Sequence, residues 1–197
     1  MEAKSLLYAK NKLPLDFTQE IYNTFSSKIA DKILMGMYEK RYTTLRVNTI
    51  KYNIEDLIAI LKKENIEFER VEWYENALII KNVNERKLQE LEIYKNGYIY
   101  MQSLSSMIPP LVLNPKRGDK VLDLTAAPGS KTTQMSAMME NEGYIFANEL
   151  DTIRCQRLKY NVDMQGASIV EINNANGEII GEKYPNTFDK ILLDVPC

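Results

Sequence analysis

Hydrophobic positions follow one pattern up to about residue 102 and another beyond it. Phe17, Ile21, Phe25, Ile29, Ile33 and Met37 recur at every fourth position, the spacing that stacks side chains along a helix. Asp16 with Gln19 reads as an N-cap and its capping-box partner, so the helix is expected to start there. The run T-T-L-R-V-N-T-I at 43–50 alternates and is rich in β-branched residues, which predicts a strand. Ile54, Leu57, Ile58 and Leu61 after Asn53 predict a helix. F-E-R-V-E-W and A-L-I-I-K flank Tyr74, Glu75 and Asn76 like a hairpin, and Leu88 and Leu91 mark a short helix before Y-I-Y-M at 98–101. The order over 43–102 is therefore β-α-β-β-α-β, the split βαβ pattern of ferredoxin-like and RNA-recognition folds.

Pro109, Pro110, Pro115 and Gly118 suggest a hinge-like connection. After it come continuous apolar runs at 120–124, 144–148, 168–172 and 190–194, separated by helical stretches. Buried runs alternating with helices imply a parallel, doubly wound α/β sheet. The expected organisation is an N-terminal helical segment at 1–42, a smaller α+β region at 43–102 and an α/β region at 103–197.

Composition narrows the chemistry more than the fold. At 45% hydrophobic and 26% charged residues, the 197-residue chain can bury a core. No apolar run reaches the roughly 18 residues of a membrane span, and the first ten residues lack a secretory core, so a cytoplasmic location and no membrane partner are expected. Lys and Arg number 25 against 27 Asp and Glu, so there is no strongly basic footprint for nucleic acid. The first fifty residues, with eight basic and five acidic side chains, are the exception. The absence of histidine excludes Ser-His-Asp and Cys-His nucleophile systems and most zinc sites, and no metal is expected. Cys155 and Cys197 are too few for a disulfide framework.

The strongest local signal is V-L-D-L-T-A-A-P-G-S-K-T at 121–132, an apolar strand running into a small-residue turn and a helix. Small residues admit a ligand close to the backbone, and a helix N-terminus offers unpaired N–H groups to an anion. Ser130 between Gly129 and Lys131 rules out a P-loop. Glu149 follows Gly129 at the distance at which an acid meets a ribose in dinucleotide-binding folds. A capped loop and a solvated acid would give the same string.

Together, A-A-P-G-S-K-T after V-L-D-L, A-N-E at 147–149, L-R-V-N-T at 45–49, Y-M-Q-S-L-S-S-M at 100–107 and F-D-K-I-L-L-D-V-P-C at 188–197 resemble the Nop/Sun family of S-adenosylmethionine-dependent RNA cytosine-5 methyltransferases. The resemblance covers about residues 44–197 and implies a Rossmann-like methyltransferase sheet, here truncated to four parallel strands, preceded by a ferredoxin-like or RRM-like domain and an N-terminal helix. It also implies that S-adenosylmethionine is the cofactor and rRNA or tRNA the substrate. Ala126, Ala127, Pro128, Gly129, Ser130 and Lys131 would hold the methionine end of the cofactor, Glu149 the ribose and Asn176 the adenine end. Asn176 stands where the family has an acid.

Carbon 5 of cytosine is a poor nucleophile until a thiolate adds at carbon 6 and a proton moves toward nitrogen 3. By resemblance, Asp194 is the acid or hydrogen-bonding partner, also near the cofactor, and Cys197 is the cysteine that assists product release. The attacking cysteine of the family lies in a later T-C motif that these 197 residues do not contain. The chain is accordingly expected to be an N-terminal fragment, inactive alone, with its last strand an uncovered apolar edge open to self-association. A non-catalytic RNA-binding or assembly protein, or less readily a nucleotide enzyme, remains an alternative.

Arg46 and Asn48, two apart on a strand and so on one face, are candidate contacts to RNA phosphate or sugar, although a structural tie to the second region suits them equally. Tyr98 and Tyr100 also share a face and could stack bases, though sheet packing is the commoner fate. Gln102, Ser105 and Ser106 either border the cofactor or cap the next helix. Cys155 reads as a small buried hydrophobe.

Overall fold

The computed structural model describes residues 6–37, 39 and 41–195, and the chain forms two compact units, Met1–Arg41 and Tyr42–Cys197. Cys197 lies outside the described residues.

The first unit holds α1 (Leu6–Lys12), α2 (Leu15–Thr24) and α3 (Ser27–Gly36), packed around Ile21, Ala30 and Leu34. The single helix expected from Asp16 to Met37 is therefore two, and its N-cap is Pro14, with Asp16 inside the first turn. Phe25 is extended (φ −121°, ψ 154°) and Ser26 precedes α3, a position serine favours. The stripe itself fails geometrically. At 100° per residue, each four-residue step drifts by about 40°, so six such positions sweep roughly 200° and cannot share one face. Phe17, Phe25, Ile29 and Met37 are all more than 40% exposed.

The second unit opens with β1 (Thr43–Val47), α4 (Ile54–Lys63), β2 (Phe68–Arg70), β3 (Ala77–Ile80), α5 (Glu85–Gln89), α6 (Glu92–Lys95) and β4 (Ile99–Met101). The expected β-α-β-β-α-β order is present, with its second helix divided in two, as an antiparallel sheet ordered β2-β3-β1-β4. Asn53 caps α4 by accepting from the Asp56 N–H at 2.8 Å, and Asn84 caps α5 in the same way. Leu45 faces Leu78 and Val47 faces Ile99 across the ladders, and this face buries Leu57, Leu61 and Leu88. The alternate positions form the opposite face, which is covered as well: Ala77 and Ile79 pack with Met107 and Leu104 of α7 (Leu104–Leu113).

Pro109 and Pro110, expected in a hinge, lie inside α7. Proline lacks an N–H, so the carbonyl four residues earlier loses its helical donor. For Pro110 that carbonyl belongs to Ser106, and it accepts the Gln102 side-chain amide at 3.0 Å instead. Ser103, rather than Ser105 or Ser106, caps the helix with its side chain.

The remaining elements are β5 (Lys120–Asp123), α8 (Ser130–Met138), β6 (Tyr144–Asn148), α9 (Thr152–Gln165), β7 (Val170–Asn173), a 3-10 turn at Gly177–Ile179, α10 (Ile180–Lys183) and β8 (Lys190–Leu192). The four strands are parallel in the order β7-β6-β5-β8, with Val121 opposite Ile145 and Lys190. Val121, Met135, Ile145 and Leu192 fill one side, and Leu122, Phe146 and Ile180 the other. The chain runs outward from β5 through β6 to β7 and then returns to the opposite side of β5. That reversal opens a crevice at the carboxyl ends of β5 and β8, where ligands bind in open α/β sheets. Among the described residues β8 is at the sheet edge, with Ile191, Leu193 and Val195 each more than half exposed. No helix among them is long and apolar enough to cross a membrane.

Gln102 holds three groups at once, the buried Arg46 and Gln134 and the half-buried Ser106 carbonyl. Its carbonyl accepts from Arg46 Nε at 2.9 Å, and its amide donates to Ser106 O and Gln134 Oε1. Gln102→Met is therefore expected to destabilise the chain by about 2–4 kcal/mol, read as a lower urea midpoint, because a methionine fills the space but satisfies none of the three.

Candidate functional site

The turn at Leu124–Gly129 leaves β5 at the crevice and delivers the chain into α8. Gly129 sits at φ +100°, where an L side chain would be strained, and a Cβ there would meet Leu158 at 3.0 Å. Ala126 and Ala127 pack against Ala147 and Leu158, so their small side chains let the turn lie close to β6 and α9. The turn, with Asp123, Ser130, Lys131, Arg154 and Asp194, lines a cavity of about 200 Å³.

Four charged side chains give this cavity its character. Lys131 Nζ pairs with Asp194 Oδ2 at 2.6 Å, and the Asp194 backbone carbonyl accepts from Thr125 Oγ1 at 2.9 Å, which fastens the end of β8 to the turn. An ammonium has three donors, so Lys131 can hold a second anion. Arg154 Nη2 donates to the Ala127 carbonyl at 2.9 Å. Asp123 is 1% exposed and accepts from Thr132 Oγ1 at 2.7 Å. Burial pushes its carboxyl up to about 6, against the opposing pull of the Thr132 hydrogen bond and the Lys131 charge, while Asp194 adds to the rise.

Glu149 is 4% exposed and stands behind the turn, against Ala127 and outside the residues that line the cavity. Its Oε2 accepts from Ala127 N–H at 3.3 Å and lies 3.7 Å from Arg154 Nη2, while Oε1 accepts from Asp151 N–H at 3.0 Å. A carboxylate has about four lone-pair positions, so acceptor capacity remains for hydroxyls.

Other expected positions fall elsewhere. Asn176 is exposed and caps the 3-10 turn, accepting from Glu178 N–H at 3.0 Å and donating to Glu178 Oε2; it does not line the cavity. Arg46 and Asn48, candidates for RNA contact, are fully buried, because α7 and the start of α8 close over Arg46 and the end of α9 closes over Asn48. Arg46 donates to Gln102 Oε1, Ser130 O and Thr133 Oγ1, with its guanidinium 5.1 Å from the Tyr100 ring centre. Asn48 donates to Gly97 O and Gln165 O. The structural tie is what the fold realises. Tyr98 stacks on Tyr52 at 4.5 Å. Cys155 is half-buried, and burial, with the Glu149 charge, pushes its thiol up, away from the nucleophilic thiolate.

Asp123, Thr132 and Arg154 were not singled out from the sequence. Asp123 carried a signal, an acid closing an apolar run whose neighbours had to be buried; Arg154 carried none.

A family model described as 16S rRNA methyltransferase RsmB/F matches residues 110–197, and a second, for the ferredoxin-like domain of RsmF/B-like methyltransferases, matches residues 14–85. The chain belongs to the Nop/Sun family of S-adenosylmethionine-dependent RNA methyltransferases. A Pyrococcus abyssi relative in this family, tRNA (cytosine(49)-C(5))-methyltransferase, is 41% identical over 162 residues, covering 82% of this chain and 51% of its own length. The Shewanella oneidensis ribosomal RNA small subunit methyltransferase F is 38% identical over 182 residues, covering 89% and 38%. The solved structure of a methyltransferase homolog protein from Pyrococcus horikoshii superposes with a TM-score of 0.84 at 32% identity, over 98% of this chain and 63% of that one. The Nop/Sun chain described here thus spans about half or less of the length of these curated relatives.

The raised Asp123 carboxyl has a consequence for stability. The folded chain binds this proton more tightly than the unfolded one, so stability is fullest below about pH 4, falls as pH rises toward 6, and stays at the lower level above it. Asp123→Asn keeps an acceptor for Thr132 and is expected to flatten this fall, raising stability at pH 7 by about 2 kcal/mol in urea melts followed from pH 4 to 8.

Proposed function

We propose that the cavity at the end of β5 binds S-adenosylmethionine and that the protein methylates carbon 5 of a cytosine in rRNA or tRNA. The observation that carries this reading is the convergence of Lys131, the α8 N-terminus and Glu149 on one small-residue turn at the crevice of a parallel sheet. The donor set suits the molecule. A cation and free N–H groups match the methionine carboxylate, and Glu149 retains acceptor capacity for the ribose hydroxyls. Ala126, Ala127, Pro128 and Gly129 would lie along the cofactor, with Ser130 opening the helix. Asn176 would reach the adenine end only by giving up its bonds to Glu178.

When bound, the cofactor supplies an electrophilic methyl group on a sulfonium. The protein must activate the cytosine. Asp194, held beside the turn by Lys131 and Thr125, would hydrogen-bond the ring at nitrogen 3 or its amine while a thiolate adds at carbon 6. Cys197, three residues along, takes the product-release role that the family assigns to its D-x-P-C cysteine. RNA is the partner that the family and the tRNA and rRNA methyltransferase relatives point to.

Calorimetric titration of the 197-residue chain tests the cofactor half of this reading. S-adenosylhomocysteine is expected to bind, with ATP and NAD failing to do so, and Lys131→Met should weaken binding by about tenfold through loss of a charge-assisted hydrogen bond. Preferential binding of ATP or NAD would falsify the assignment.

A further inference from the structure

Arg154 borders the cavity after β5, yet the cofactor reading leaves it without a part. It stands in the first turn of α9, and its contacts close a ring around Glu149. Asp151, the N-cap of α9, accepts from the Arg154 backbone N–H at 2.8 Å through its side chain and donates its own N–H to Glu149 Oε1 at 3.0 Å. The Arg154 guanidinium closes the ring from the other end. Its Nη2 donates to the Ala127 carbonyl at 2.9 Å and lies 3.7 Å from Glu149 Oε2, the oxygen that accepts the Ala127 N–H at 3.3 Å. The start of α9 therefore holds Glu149 at both oxygens, and the Glu149–Arg154 pair holds Ala127 at both its N–H and its carbonyl.

We propose that Arg154 is the positioning residue of the cofactor site, acting through Glu149: it holds that carboxylate against Ala127, so that the acceptors left on Glu149 meet the ribose hydroxyls in one orientation. The inference rests on the cofactor reading and adds to it the side chain through which α9 sets the ribose end. A buried carboxylate is costly unless a cation and donors face it, and among the described residues Arg154 is the cation paired with Glu149. The guanidinium suits the place because it is planar and carries five donors, so one group serves the Ala127 carbonyl and the carboxylate together. A lysine ammonium would bring the charge without the fork. With neither, Glu149 would be left without a cation and the turn without the bond to its Ala127 carbonyl.

The test is a double-mutant cycle on the 197-residue chain, read as calorimetric affinity for S-adenosylhomocysteine, with folding of each variant checked by circular dichroism. Arg154→Met is expected to weaken binding about tenfold, the worth of one charge-assisted hydrogen bond. In the Glu149→Gln background the same change should cost less than about twofold, because the carboxylate that Arg154 positions is no longer there. Arg154→Lys should fall between the unaltered chain and Arg154→Met, and it carries the comparison if the methionine variant does not fold. Unchanged affinity in the arginine variants, or a loss of the same size in both backgrounds, would overturn the proposal and leave Arg154 a merely structural residue. Either result, with the unaltered chain still binding S-adenosylhomocysteine, would leave the cofactor reading standing. Failure of the unaltered chain to bind it would overturn the cofactor reading and the proposal together.

Discussion

A desolvated guanidinium sits at the junction of the two sheets of this protein, beside the Asn48–Gln165 and Gln102–Gln134 hydrogen bonds that also cross it. Arg46 projects from the centre of the antiparallel sheet and is fully buried, yet among the described residues none of its hydrogen bonds goes to a carboxylate. Burial lowers it to about 10, with Tyr74 and Tyr100 pulling the other way, so it remains a cation at neutral pH. Such a charge survives only if its surroundings supply oriented acceptors, and these come from both regions: Gln102 at the end of β4, and Ser130 and Thr133 in the first turn of α8. The cost of stranding that charge is what couples the ferredoxin-like sheet to the turn after β5. Its positive charge also lies behind a helix N-terminus, where it adds to the dipole that favours an anion.

This coupling removes one familiar way of binding RNA. In RNA-recognition domains the open face of the four-stranded sheet stacks bases on aromatic side chains. Here that face is filled by Arg46, Ala77 and the apolar side of α7, and Tyr98 is committed to Tyr52. The ferredoxin-like pattern therefore acts as a brace for the turn after β5. The edge of the sheet at β4 keeps Tyr100 beside open space, and the β2–β3 connection does the same for Trp73.

Three carboxylates near the turn are separated by environment. Asp123 is buried with one hydroxyl donor and holds its proton toward neutral pH; Glu149 is buried among backbone N–H groups and Arg154; Asp194 is half-exposed and paired with Lys131. The burial of Asp123 comes from the layers that close over β5. Its hydroxyl donor, Thr132, comes from the helix that the turn starts.

The sequence by itself determined the order of elements, because periodicity and capping are local. Asn53, the alternation through Leu45 and Val47, and the four apolar runs each specify their element within a few residues, and the turn at 124–129 announces itself by small residues between a strand and a helix. It also displayed the motifs that lead to the family. What the local string could not reveal was which face of an element finds a partner. The stripe from Phe17 to Met37 broke where Phe25 turns extended, Pro109 and Pro110 were absorbed into α7 once Gln102 replaced a lost donor, and Asn176 spent its side chain on a cap. Arg46 and Asn48 looked like surface contacts because a strand reads the same whether its second face meets water or another layer. Only the tertiary packing decides that, since the groups that accept hydrogen bonds from Arg46 lie more than fifty residues away along the chain.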